Sequence, residues 1–140
     1  GTSKKKLSSI VDDVLAVLQL SHIQNSVVGS VEQRGISGGQ RKRVNIGLEL
    51  AACPTILFLD EPTSGLDSTS SLTIVHSLKK MAQLGVTILT VIHQPRYSLF
   101  TLFDDVLLLG KGGCTVYLGA SNLAKQYFES IGFAMPSDEN

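Results

Sequence analysis

Tryptophan is missing from these 140 residues, and cysteine and proline are scarce, at two and four. Cys53 and Cys114 lie far apart without a CxxC pair, and the three histidines do not cluster. Neither a disulfide framework nor a zinc site is indicated, so the expectation is two buried structural thiols in a reducing compartment. Charge of either sign has no excess, with 12 Lys and Arg against 12 Asp and Glu. That balance removes the global electrostatic case for a nucleic-acid or anionic-membrane partner. The run Lys4, Lys5 and Lys6 is too short for a polybasic site and reads as a solvated terminus. No apolar run approaches the roughly 20 residues that span a bilayer, and the first residues do not resemble a signal peptide. No GxxxxGK[ST] loop occurs either, so no segment offers that lysine-bearing cradle for phosphates.

What remains is 43% hydrophobic and 17% charged, which argues for a folded domain with a modest core and against disorder. There is no internal repeat. The stretch Ile56-Leu57-Phe58-Leu59 is a strand pattern suited to burial on both faces inside a parallel sheet. Asp60 and Glu61 arrive where that strand ends, and Pro62 and Gly65 turn the chain. Open α/β sheets place ligands at this carboxyl end. Side chains alternate along a strand, so the two carboxylates are expected to point different ways. A second β-branched run at residues 86–92 delivers His93 to the same kind of position, one crossover later. His22 and His76 are read as structural.

Leu7, Ile10, Val11, Val14, Leu15 and Leu18 recur at helical spacing, which predicts a helix to about Leu20, with Ser8 or Ser9 as cap and Asp12 and Asp13 in its first turns. Residues 21–35 are polar and loop-like. Ser37 is then a good N-cap for a helix to about Ala52 that turns Val44, Leu48 and Ala51 inward. Gly38 and Gly39 cost roughly 1 kcal/mol each in that first turn. The spacing suggests a reason to accept the cost: bare backbone N–H groups at a helix N-terminus suit a phosphate. Arg41, Lys42 and Arg43 read as a solvated helix face. A helix is predicted over 68–82, with Leu72, Val75, Leu78 and Met81 inward. A hairpin follows, from a strand at 102–109 through the turn at 110–113 to a strand at 115–118. Ser121 caps a last helix carrying Leu123, Ala124, Tyr127, Phe128 and Ile131 on one side and ending at Gly132. Residues 135–140 look like the start of a linker.

In this order the motifs resemble the C-terminal half of the ATP-binding cassette of ABC transporters. Ile36-Ser37-Gly38-Gly39-Gln40 resembles the family signature, with Ile where Leu is usual. Asp60 and Glu61 resemble the Walker B aspartate and the catalytic glutamate, Ser64-Gly65-Leu66-Asp67 the D-loop, and His93 the switch histidine. The stretches 35–43 and 91–96 are similar to the G subfamily, exporters of sterols, lipids and drugs whose cassette precedes the membrane domain.

The resemblance implies a partial α/β fold of the P-loop NTPase (RecA-like) class. Residues 1–36 would end the helical subdomain, 37–118 would hold the signature, Walker B, D-loop and switch, and 119–140 the last helix and linker. ATP and Mg²⁺ are the implied cofactors. By carry-over, Asp60 holds Mg²⁺ through a water, Glu61 polarises the attacking water, and His93 contacts the γ-phosphate. Ser37, Gly38, Gly39 and Gln40 bind a nucleotide held mainly by an opposing subunit, with Asp67 across that interface. The implied partners are a second nucleotide-binding domain and the transmembrane domain of the same full-length chain, with the cassette on the cytoplasmic side of a membrane. The phosphate loop, the adenine-stacking aromatic and the Q-loop glutamine would all precede this segment. In the family's sheet the phosphate-loop strand lies between the strand ending at His93 and the one near residues 106–109, so this segment alone is expected to be poorly stable and inactive. The alternative is a truncated, non-enzymatic cassette fragment that binds and modulates an intact cassette.

Overall fold

A computed structural model describes residues 4–30 and 33–133, with side chains from residue 8 onward. The chain divides into two compact units, residues 1–93 and residues 94–140. The first holds helix α1 (Lys4–Val17), a 3₁₀ turn at Ser21–Ile23, helix α2 (Gly38–Leu50), strand β1 (Ile56–Asp60), helix α3 (Ser68–Gln83) and strand β2 (Thr87–Val91).

Helix α1 begins upstream of the predicted cap, because lysine and leucine are good helix formers and extend it through Ser8 and Ser9. Asp12 and Asp13 consequently lie in its interior, not in its first turns. Val14 and Leu15 are half-buried and Leu18 and Leu20 are enclosed, whereas Val11 faces solvent. The inward direction expected for Leu7 lies outside the described side chains, as does the solvation of Lys4 to Lys6. Past the 3₁₀ turn the chain loops back, and the Ile36 amide donates to the Val27 carbonyl at 3.2 Å, which brings the entry of α2 alongside residue 27.

The buried face of α2 comprises Gly39, Arg43, Ile46, Gly47 and Leu50. This corrects the predicted face: Leu48 is 69% exposed and Ala51 faces solvent, while Val44 is half-buried. Gly47 sets the register. A β-carbon there would lie 2.9 Å from Leu18 Cδ1 and 3.3 Å from Val14 Cγ1, so the helices meet where α2 has no side chain. Leu48, one residue on, is rotated away by about 100°. Downstream, Cys53 sits at φ +53° and is exposed, as is Cys114, which corrects the expectation of buried thiols.

Strands β1 and β2 are parallel, from Ile56 opposite Thr87 to Asp60 opposite Val91. Leu57 and Leu59 on one strand and Ile88 on the other pack into a core with Leu18, Leu20, Ile46, Leu50, Ile74, Leu78 and Met81. Enclosing Leu18 or Leu20 contributes about 1.5–3 kcal/mol each. The opposite face is open: Ile56, Phe58, Leu89 and Val91 are exposed, Phe58 by 73%. Burial on both faces was expected. Among the described residues of this unit, helices cover only one side of the sheet, so the second apolar row meets solvent.

In the second unit, helix α4 (Tyr97–Phe100) leads to strands β3 (Asp105–Leu109) and β4 (Thr115–Ala120), then a 3₁₀ turn at Ser121–Leu123 and helix α5 (Ala124–Ser130). The strands form the predicted antiparallel hairpin, with Leu107 opposite Leu118. Its first strand starts later than expected and its second runs on to Ala120. Gly112 and Gly113, both at φ +78°, make the turn. Ser121 is no cap: its buried hydroxyl donates to the Phe103 carbonyl, which starts a 3₁₀ turn and delays α5 to Ala124. That rotation leaves Leu123 and Ile131 exposed, against expectation, and Ala124 buried. Tyr117, Tyr127, Phe128 and Phe133 form a chain of rings with neighbouring centroids 5.1–6.3 Å apart. The expected linker beginning at residue 135 lies outside the described residues. Among the described residues the two hairpin strands pair with each other, as do β1 and β2. No described helix is long and apolar enough to cross a membrane.

Candidate functional site

At α2 the sequence dictates a helix start. Ser37 is extended (φ −63°, ψ 162°), its hydroxyl accepts the Gln40 amide at 3.2 Å, and the Gln40 side chain accepts the Ser37 amide at 2.8 Å. This capping box satisfies two of the four orphan N–H groups of the first turn. The remaining two belong to Gly38 and Gly39 and have no partner among the described residues. Gly38 is open, since a β-carbon there would find only Leu66 Cδ2, at 3.8 Å. Gly39 is different. It is buried, and a β-carbon would lie 3.0 Å from Ser70 Oγ and 3.1 Å from Ser70 Cβ. Packing against α3 therefore accounts for Gly39, whereas the β-position of Gly38 is open.

Ser70 ties this helix to the next. Asp67 is the N-cap of α3, accepting the Ser70 amide at 2.9 Å and the Ser70 hydroxyl at 2.7 Å. These bonds, the backbone one first, hold its carboxyl below the usual carboxylate range. The hydroxyl bonded to the exposed Asp67 carboxylate thus packs beside the buried Gly39. Gln40, expected only at a ligand, also spends its side chain on the cap and reaches His22 Nε2 at 3.5 Å.

Asp60 closes β1 on the face that carries Ile56 and Phe58, and its carboxylate is exposed. Glu61 continues the ladder through its amide, which donates to the Val91 carbonyl at 2.9 Å, but takes φ +44°. Strand alternation therefore does not set its direction; the left-handed backbone does. Such a conformation costs a non-glycine residue of order 1–3 kcal/mol and concentrates at functional positions. Glu61 and His93 line one open concavity together with Thr63, Ser64 and Gly65. The two predicted catalytic side chains thus meet at adjacent strand exits, beside the segment that leads to Asp67.

The basic triplet is not a solvated face. Arg43 is buried at 8% exposure with Nε unpartnered among the described residues, and burial lowers its pKa from the ordinary guanidinium range. Lys42 Nζ donates to the Glu61 carbonyl at 3.4 Å and Arg41 Nη2 to the Val28 carbonyl at 3.4 Å. Ser70 had a legible signal, three residues past a capping aspartate. Lys42 had none, since its contact joins two elements that only the fold brings together.

Among the described residues no three His, Cys, Asp or Glu side chains converge. A lone exposed carboxylate such as Asp60 does not fit a dedicated zinc or calcium cage. It fits Mg²⁺, which keeps several waters and takes one or two carboxylates beside phosphate oxygens. The free amides of Gly38 and Gly39 at the positive end of α2 fit phosphate oxygens.

Residues 2–64 match the family model described as ABC transporter, and residues 93–140 match that described as ABC-2 type transporter. The structure aligns with an ATP-binding cassette of an ABC transporter at a TM-score of 0.67 and 20% identity, covering 96% of this chain and 52% of that one. The ADP conformation of the same cassette aligns at 0.66, with 22% identity. These likenesses carry the fold, that of a P-loop NTPase cassette. The chain belongs to the ABC transporter family.

Within that family its similarity is to G-type members. It is 49% identical over 140 residues to ABC transporter G family member 25 of Oryza sativa subsp. japonica, and 51% over 131 residues to ABC transporter G family member 28 of Arabidopsis thaliana. It is also 46% identical over 142 residues to the ABC-type transporter claG of Penicillium crustosum. It covers 100%, 94% and 100% of its own length in these matches, but spans only 14%, 12% and 19% of the three relatives.

Proposed function

We propose that this chain is the signature-to-switch part of a nucleotide-binding domain in a G-type transporter, which hydrolyses ATP to drive export of lipids, sterols or drugs across a membrane. The observation that carries this is the shared concavity of Glu61 and His93 at the exits of two parallel strands. In this role Glu61 orients and polarises the attacking water, and His93 meets the γ-phosphate. Asp60 would hold Mg²⁺ through a water, and the ion would supply charge neutralisation at the phosphates. Ser37 and the amides of Gly38 and Gly39, with Gln40 fixing their helix, present donors to a nucleotide held mainly by a second nucleotide-binding domain. Asp67 stands at that interface. Residues 1–36 would close the helical subdomain, 37–118 form the catalytic core, and 119–140 lead toward the transmembrane domain, with the cassette on the cytoplasmic side.

Because catalysis of this kind is positioning and electrostatics, half a site should be inert. The test is magnesium-dependent ATP hydrolysis. A full-length chain carrying this segment should hydrolyse ATP, and Glu61→Gln should lower kcat by about 100-fold or more while nucleotide binding persists. The 140-residue chain alone should show none. Hydrolysis by that chain, or wild-type kcat in the Glu61→Gln protein, would overturn the assignment.

A further inference from the structure

We propose that Lys42 is a positioning residue for Glu61, acting through the Glu61 backbone carbonyl. The inference rests on the catalytic role proposed above for Glu61. A glutamate at φ +44° holds that conformation only where its surroundings fix both of its peptide groups. Three bonds do so here. The Glu61 amide donates to the Val91 carbonyl at 2.9 Å, and the Glu61 carbonyl accepts the Ser64 amide at 3.1 Å and Lys42 Nζ at 3.4 Å. The first belongs to the parallel ladder and the second to the turn that follows it. The third is the one made by a side chain, that of the half-buried Lys42 on α2.

Its position on that helix matters. Lys42 lies four residues past Gly38, one turn along the same rod whose open N-terminus presents the free Gly38 and Gly39 amides. An ammonium on the carbonyl of a left-handed residue restrains the ψ rotation that swings this peptide, and with it the direction of the Glu61 side chain. Lys42 thereby links the helix that carries these amides directly to the Glu61 peptide. The adjacent Arg41 and Arg43 make no such contact: Arg41 turns to the Val28 carbonyl, and Arg43 is buried beside Gly39.

The test uses the full-length protein. Lys42→Met keeps the apolar stem and removes the ammonium; Lys42→Arg keeps a cationic donor. Lys42→Met should lower kcat for ATP about five- to tenfold, with KM for ATP within about twofold, and Lys42→Arg should recover at least about half of the loss. Amide exchange in the peptide spanning residues 58–66 should accelerate in Lys42→Met at an unchanged unfolding midpoint. Unchanged kcat with unchanged exchange overturns the proposal, as does a Lys42→Arg protein as slow as Lys42→Met. If the wild-type protein does not hydrolyse ATP, the catalytic assignment of Glu61 falls, and the exchange measurement still decides whether Lys42 holds this peptide.

Discussion

A β-carbon on Gly39 would press on Ser70 at 3.0–3.1 Å, and the Ser70 hydroxyl in that contact is the one bonded to Asp67. The start of α2 and the cap of α3 are therefore one packed unit.

The two signature glycines should consequently fail for different reasons. Gly39→Ala must displace Ser70 and is expected to cost about 1–3 kcal/mol of stability. Gly38→Ala meets nothing closer than 3.8 Å and should leave stability unchanged or slightly raised. Thermal unfolding of a complete cassette carrying each variant checks this. If Gly38→Ala nonetheless loses ATPase activity, the loss lies at the ligand.

Asp67 confers acid sensitivity of known sign. Its folded pKa is depressed by the Ser70 bonds, so its contribution is present above the unfolded value and is lost as pH falls through the folded one. The window lies below about pH 4. Asp67→Asn keeps an acceptor for the Ser70 amide and removes the titration. A pH series of unfolding midpoints should show a shallower acid limb for Asp67→Asn than for wild type.

Glu61 should show a conflict between stability and activity. Glycine accepts φ +44° without strain, so Glu61→Gly is expected to raise stability by about 1 kcal/mol while abolishing hydrolysis. Denaturant unfolding and ATPase assays on one preparation measure both. A Glu61→Gly protein less stable than wild type would show that the carboxylate itself holds the turn.

Phe58 distinguishes the isolated chain from a complete cassette. At 73% exposure, Phe58→Thr should change the stability of the 140-residue chain by no more than about 0.5 kcal/mol and improve its solubility. In a complete cassette that covers this sheet face, the same substitution should cost about 2–4 kcal/mol. Equal effects in both settings would mean that the face stays open.

The order of elements was legible because apolar periodicity, caps and breakers report locally. Ser37, Asp67 and the strand exits at Asp60 and His93 all stood where the residues place them. What escaped depended on partners distant in sequence. Leu48 fits an apolar helix face as well as Ile46 does, and only the close passage of α1 over Gly47 selects between them. The pattern at Ile56 to Leu59 reads as doubly buried, but burial is a property of what packs on each side. The basic triplet resembles a solvated stripe, and three separate destinations for Arg41, Lys42 and Arg43 have no local signature.

The enclosed pair Leu18 and Leu20 has a temporal consequence. Their cover includes Ile74, Leu78 and Met81, which a ribosome adds only after residues 37–40 and 60–61 have been made. Part of the cover of this helix is therefore synthesised well after the helix itself. During that interval its leucines are the sticky surface of the nascent chain, and a holdase would find its footing there.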